Sequence, residues 1–310
     1  MVTFTTDQLT TLITVLGEGT FERAADALHI TPSAVSQRIK AMEQVAGRVL
    51  VQRANPAVAT EAGESVARYA RQVDLLAREL DREFCGEFPA GAGEPATPFA
   101  VAVNADSLAT WFMPAMAQAH EQFGLIFDVH RDDQEHTAAA LRSGTVIAAV
   151  TATRQPVQGC VSTPLGFMRY RAVAAPAFAR RWFPEGRLDA LDRAPLVDFD
   201  RKDHLQQDFV RQQAGHDHQG PRHLIPTSAD FAQAVTAGLG WGMLPDAQCS
   251  AGLSRGRLVD LAPGTAAEVH LYWQRWNLHS ALLDGVTATV LAAAAGELVG
   301  PLRRAARRRP

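Results

Sequence analysis

Cysteine, lysine and long apolar runs are the scarce features of this sequence. The three cysteines, Cys85, Cys160 and Cys249, are far apart and form no CxxC pair. An odd, scattered set argues against a disulfide framework. No uncharged apolar run reaches the roughly 18 residues of a transmembrane helix. The opening MVTFTTDQL has neither a basic n-region nor an apolar h-region, so it does not read as a secretory leader. Together these features point to a reducing, cytoplasmic setting with no membrane. Formal net charge is −3, so there is no global basic field and any nucleic-acid site has to be local. Only Lys40 and Lys202 are lysines among 30 basic residues. Arginine over lysine with abundant alanine marks a GC-rich genome and carries no functional information. No GxSxG motif and no repeat of fixed period is present. Gly238-x-Gly240-x-Gly242 lacks GxGxxG spacing and reads as a tight helix-to-strand turn. His204, His216, His218 and His223 sit in polar surroundings without a nearby cysteine, which favours structural roles over a metal site. No cofactor and no catalytic residue is expected.

What remains is ample. At 310 residues, 47% hydrophobic and 20% charged, the chain can bury more than one core. Residues 5–85 read as almost continuous helix. A Gly/Pro-rich stretch, 86–98, then marks a boundary. Beyond it, short β-like runs begin at Phe99, Leu125, Val146, Arg171 and Val269, with helical stretches such as 108–122 and 136–143 between several of them. That alternation implies an α/β fold with a mostly parallel sheet, in two lobes on grounds of length.

Within the helical part, Phe21, Ala24, Ala25 and Leu28 share one helix face. After three intervening residues, Thr31 can cap a second helix with Pro32 at its first position. Two short helices about a tight connection make a helix-turn-helix candidate. On the second helix, Val35, Ile39 and Met42 fall in one narrow arc. Ser33, Ser36, Gln37, Lys40 and Gln44 fall opposite, on a face without an acid. Residues 1–85 carry 9 basic and 11 acidic side chains, yet 31–53 holds Arg38, Lys40, Arg48 and Arg53 against Glu43 alone. Such a patch suits duplex DNA, with serine and glutamine on bases or phosphates and cations on phosphates. The residues alone leave two classes open. One is a regulator that binds DNA. The other is a small-molecule-binding or catalytic α/β protein with a helical N-terminal domain that does not bind DNA.

Ala24-Ala25-x-x-Leu28-x-x-Thr31-Pro-Ser-Ala34-Val35-Ser36-x-x-Ile39-x-x-Met42-Glu43, then Gly47, Leu50-Val-Gln-Arg53 and Thr60-Glu-Ala-Gly63, resembles the LysR-type transcriptional regulators. The resemblance implies an all-α winged helix-turn-helix over 1–63 and a dimerising linker helix over 64–85. A hinge over 86–98 follows, then an α/β effector domain over 99–310 like a periplasmic binding protein. Lobe I of that domain would take about 99–168 and 275–301, and lobe II about 169–274. DNA contacts would come from Thr31, Pro32, Ser33, Ser36, Gln37, Arg38, Lys40 and Arg53. Many members carry a second arginine three residues after Arg53. Pro56 stands there in this chain, which weakens the case for a second cationic wing contact. Family members act as homodimers or homotetramers, and contact with RNA polymerase is a further expectation.

Val101-Asn-Ala-Asp-Ser, Ala109-Thr-Trp-Phe and Gly238-Leu-Gly-Trp-Gly-Met look like the ArgP/LysG subgroup, which answers to lysine and arginine and controls basic amino-acid export. The implied effector is therefore lysine or arginine, bound between the lobes. Asn104, Asp106 and Ser107 after the first strand, Asp133 after the second, and Thr227, Ser228 and Asp230 after a strand at 222–226 are its candidate contacts, with Trp111 as a wall. Asp106 or Ser107 can equally cap a helix, as can Asp230, and Trp111 and Trp241 can equally fill a core. Val66, Tyr69, Ala70, Val73, Leu76, Ala77 and Leu80 form an amphipathic stripe suited to a helix pair. The C-terminal run Arg303–Arg309 reads as a disordered tail able to add sequence-independent attraction to DNA.

Overall fold

The structure, a computed structural model, describes residues 2–85, 97–131 and 134–300. The stretch 86–96, Asp132, Asp133 and the Arg303–Arg309 tail lie outside them.

The N-terminal unit packs α1 (Thr6–Glu18), α2 (Phe21–Leu28) and α3 (Pro32–Ala46) beside a two-stranded wing, β1 (Val51–Gln52) and β2 (Val58–Ala59). The long α4 (Glu61–Cys85) follows. A threonine opens each helix. Thr5, Thr20, Thr31 and Thr60 accept from the amides of Gln8, Arg23, Ala34 and Gly63, each satisfying a donor the helix cannot. Pro32 begins α3, and Val35, Ile39 and Met42 are buried with Leu12, Val15, Ala24 and Ala25, as the periodicity requires. Gly63 lets α4 pass the wing, since a Cβ there would lie 1.9 Å from the Leu50 carbonyl oxygen. The wing interrupts the continuous helix expected from the sequence. Its strands are too short to carry a periodic signal. α4 also begins before residue 64, and of the stripe expected to pair two chains Val66, Ala70 and Val73 instead pack, with Ala67, on the N-terminal core, which leaves Tyr69, Leu76 and Leu80 exposed.

The remainder alternates strands and helices as expected, but its main sheet is mixed rather than mostly parallel, because the two long strands that cross between the lobes pair antiparallel with their neighbours. β3 (Thr97–Val103), α5 (Ala105–Ser107), a π-helical turn over Leu108–Phe112, α6 (Met113–Phe123), β4 (Leu125–His130), α7 (Gln134–Ser143) and β5 (Ala148–Thr151) build lobe I. The long strand β6 (Cys160–Ala174) crosses into lobe II. There the chain forms α8 (Pro176–Trp182), β7 (Leu196–Asp198), α9 (Leu205–Ala214), β8 (Arg222–Leu224), α10 (Ser228–Ala237), β9 (Gly242–Pro245), α11 (Asp246–Ser254) and β10 (Val259–Asp260). β11 (Ala267–Trp276) returns, and α12 (Ala281–Glu297) packs on α6. β3 pairs in parallel with β4 and β5, while β6 and β11 run antiparallel through both lobes. β11 begins to pair with β5 at Tyr272, directly after an irregularity at Leu271/Tyr272, so the return crossing comes slightly before 274. Trp111 and Trp241 are buried in the shared core. The 238–242 glycines do form a helix-to-strand turn. Gly238 ends α10 at φ +83, and side chains at 240 and 242 would strike Pro195 and Phe231.

Candidate functional site

Two features hold the chemistry. The first is the outer face of α3. Thr31, Pro32, Ser33, Gln37 and Lys40 are exposed there and Ser36 is half-buried. Glu43, the one acid of the basic segment, turns inward and accepts from the amides of Leu50 and Val51 at 2.9 and 3.3 Å. It thereby ties α3 to the wing and leaves the outer face free of acids. Arg53 is exposed beside the wing with its guanidinium 5.0 Å from the Phe21 ring centre. Arg38 is placed differently. It binds the Asp7 carboxylate and the Thr11 hydroxyl, both at 3.2 Å, and so bolts α3 to α1. Pro56 packs against Gly19 rather than extending the cationic edge.

The second feature is a cleft of about 990 Å³ between the lobes. It opens beyond the carboxyl ends of β3 and β7, where α/β sheets ordinarily take ligands. Asn104, Ala105, Asp106 and Arg131 line it from lobe I. The loop 199–206 and Gln248 line it from lobe II, and Tyr170 lies where β6 crosses. Asp106 is the junction. Its Oδ2 accepts from the Tyr170 hydroxyl at 2.7 Å and its Oδ1 from the Ser228 hydroxyl at 2.6 Å. Gln248 Nε2 in turn donates to the Ser228 oxygen at 2.8 Å. One carboxylate of lobe I thus joins the crossing strand to α10 of lobe II. Burial, then the charge and hydrogen bond of Asp106, then the charge of Asp203, hold the Tyr170 phenol well above its usual range. In the loop, Asp200 accepts from the amides of Lys202 and Asp203, and Asp203 accepts from that of Leu205. These bonds fix both carboxylates on the cleft wall.

Of the residues expected at an effector, Asn104 and Asp106 line the cleft, and Ser228 stands directly behind Asp106. Neither Asp106 nor Ser107 caps α5. Asn104 is its first flanking residue, without a side-chain cap bond, and Ser107 is fully buried behind the turn. Trp111 is 2% exposed and borders a separate pocket of about 50 Å³. Thr227 and Asp230 bond to each other on the exposed start of α10, outside the cleft lining. Asp133 lies outside the described residues. The sequence reading missed Arg131, Tyr170, Asp200, Lys202, Asp203, Gln206 and Gln248. The dense charge of Asp198-Phe-Asp-Arg-Lys-Asp-His204, which starts on the last residue of a strand, was the available signal. Next to that loop, Asp198 is buried on β7 and paired with Arg222. Burial raises its carboxyl to about 6, against the pull of Arg222. Among the described residues no three His, Cys, Asp or Glu side chains are grouped to hold a metal. No helix among them is long and apolar enough to cross a membrane.

Comparison with known proteins bears on both features. The family model for the bacterial regulatory helix-turn-helix protein, lysR family, matches residues 6–64, and that for the LysR substrate binding domain matches 92–295. The lysine export transcriptional regulatory protein LysG of Corynebacterium efficiens is 42% identical over 92% of this chain and 96% of its own. The crystal structure of ArgP from Mycobacterium tuberculosis superposes with a TM-score of 0.84 at 41% identity, covering 94% of this chain and 98% of that one. Full-length LysG from Corynebacterium glutamicum with bound effector Arg gives 0.80 at 37%, covering 96% and 100%.

Proposed function

The chain belongs to the LysR family of bacterial helix-turn-helix transcriptional regulators, and from that premise we propose that arginine or lysine, bound between the lobes, controls its hold on DNA. It is an effector-responsive DNA-binding regulator and not an enzyme. The observation that carries the effector reading is the charge of the cleft. Asp106 and Arg131 line it from lobe I, and Asp200, Lys202 and Asp203 from lobe II. A lining of three anions and two cations complements a ligand with two cations and one anion, which is a basic amino acid. Arg131 and Lys202 suit its carboxylate, and the three aspartates suit its ammonium and side-chain cation. The arginine in the Corynebacterium glutamicum relative supports this choice. A leucine leaves an anion of the cleft uncompensated, and a glutamate adds a second negative charge.

On this reading the outer face of α3 enters the major groove, with Ser33, Ser36 and Gln37 toward bases and Lys40 and Arg53 toward phosphates. Arg38 contributes by holding the helix. Tyr69, Leu76, Leu80 and Phe84 form an exposed apolar stripe on α4 that pairs two chains. The regulated gene is a basic amino-acid exporter, by analogy with the lysine export regulator of Corynebacterium efficiens. Calorimetry with arginine, lysine, leucine and glutamate tests the effector. Arginine or lysine should bind at least tenfold more tightly than the other two. Equal binding of leucine or glutamate overturns the reading and leaves the family assignment standing.

A further inference from the structure

The linker helix has a second face, about 120° around from the apolar stripe at 100° per residue. Arg68, Arg71, Leu75 and Glu79 lie on it, and each reaches lobe I of the same chain. Arg68 Nη1 donates to the Gln158 carbonyl and Arg71 Nη1 to the Ser143 carbonyl, both at 3.0 Å. Arg71 is half-buried in the contact, and that burial lowers its guanidinium pKa. Leu75 is 6% exposed within the effector-domain core. Glu79 Oε1 accepts from the Ser280 hydroxyl at 2.6 Å and the Leu282 amide at 2.8 Å, so it adds a charged cap to the start of α12. The approach is tight at Gly144, whose φ of +79 itself favours glycine. A Cβ at Gly144 would lie 3.1 Å from both the Arg68 Cα and the Trp276 ring. Two cations on carbonyls near the ends of one helix and one loop, and an anion on the start of another helix, match the partial charges they meet.

We propose that Arg68, Arg71 and Glu79 are positioning residues that clasp the linker helix onto lobe I. The DNA-binding unit, α4 and lobe I then form one frame, and lobe II is the part that moves when the cleft is filled. The helix that pairs two chains on one face is gripped by the effector domain on another. Movement of lobe II therefore acts on a frame continuous with α3, with no dependence on the covalent hinge.

The test compares full-length wild-type protein with Glu79→Ala, Glu79→Gln and Arg71→Ala/Glu79→Ala. Amide hydrogen exchange over 280–284 should quicken by about tenfold in Glu79→Ala, from loss of a hydrogen bond to a charged acceptor, with partial recovery in Glu79→Gln. Operator affinity is then measured with and without saturating L-arginine. In the double variant the factor by which arginine changes that affinity should fall toward one, while its arginine Kd changes less than twofold. Wild-type exchange at 280–284 in all variants, or an undiminished arginine factor in the double variant, overturns the clasp. This second arm rests on the effector reading. If wild-type protein fails to bind arginine, that reading falls and the exchange result alone decides the clasp.

Discussion

Replacing Asp106 by asparagine tests the cleft chemistry most directly. The aspartate accepts one hydroxyl on each oxygen, Tyr170 at 2.7 Å and Ser228 at 2.6 Å. Asparagine keeps the shape, but only one side still accepts, and the other presents N–H to a hydroxyl. The cleft lining also loses one of three anions. A hydrogen bond to a charged group is worth about 1.5–3 kcal/mol, and every 1.4 kcal/mol is tenfold in affinity. Arginine affinity should therefore fall by roughly 10- to 100-fold. Ser228→Ala supplies the control, since it removes the bond between lobes without changing charge, and its effect on affinity should be several-fold smaller. Asp203→Asn, on the facing wall, should weaken arginine and leave the Tyr170–Asp106 bond intact. Calorimetry on the three variants, with circular dichroism to verify folding, separates charge from geometry. Wild-type affinity in Asp106→Asn, Asp203→Asn and their combination would refute the argument that carboxylates of this cleft hold the cation.

On DNA, Gln37→Ala should relax operator specificity at a cost of about 1–3 kcal/mol, whereas Arg53→Ala should weaken all sequences alike and flatten the salt dependence. Arg38→Ala should act through stability, lowering the melting temperature of the N-terminal unit because it loses its bonds to Asp7 and Thr11. Leu76→Asp/Leu80→Asp charges the exposed stripe of α4, and sedimentation should shift to the monomer with the effector domain still folded; an unchanged sedimentation coefficient counts against pairing there. Asp198 gives a pH signature. Its folded carboxyl lies near 6, above the 3.8 of the free group, so the folded chain holds this proton more tightly. Its stabilising effect is complete below about pH 4 and is lost as pH rises through 6, a difference of about 3 kcal/mol at 1.36 kcal/mol per unit. Denaturant midpoints of wild type and Asp198→Asn should diverge in favour of the variant from pH 4.5 to 7, and a constant difference would show that Asp198 does not titrate there.

Legibility tracked the range over which each feature is encoded. Burial of Val35, Ile39 and Met42 was readable because helix periodicity links three neighbours within eight residues. The strands of lobe I were readable from β-branched runs bounded by turns. Arg38 falls in the same basic segment as Lys40, yet it is drawn to Asp7, and no spacing within α3 reveals that. Thr227, Ser228 and Asp230 looked equivalent in sequence. Local geometry divides them, since Thr227 and Asp230 satisfy each other on the surface while Ser228 turns inward.

The cleft is harder to read because its partners meet only through the topology. Ser228 reaches Asp106 from α10, and Gln248 reaches Ser228 from α11. The order of strands brings these residues together, as no periodicity or local motif does. The same holds for the clasp. Glu79 looks like one more solvated acid on a charged helix, and its role appears only once α12 begins beside it. Both constellations join elements far apart in the chain, one across the two lobes and one between the linker helix and lobe I. A sensor needs such contacts because a bond within one rigid element cannot report the movement of another. The residues proposed to couple the cleft to the DNA-binding unit are therefore the ones that local sequence pattern encodes least.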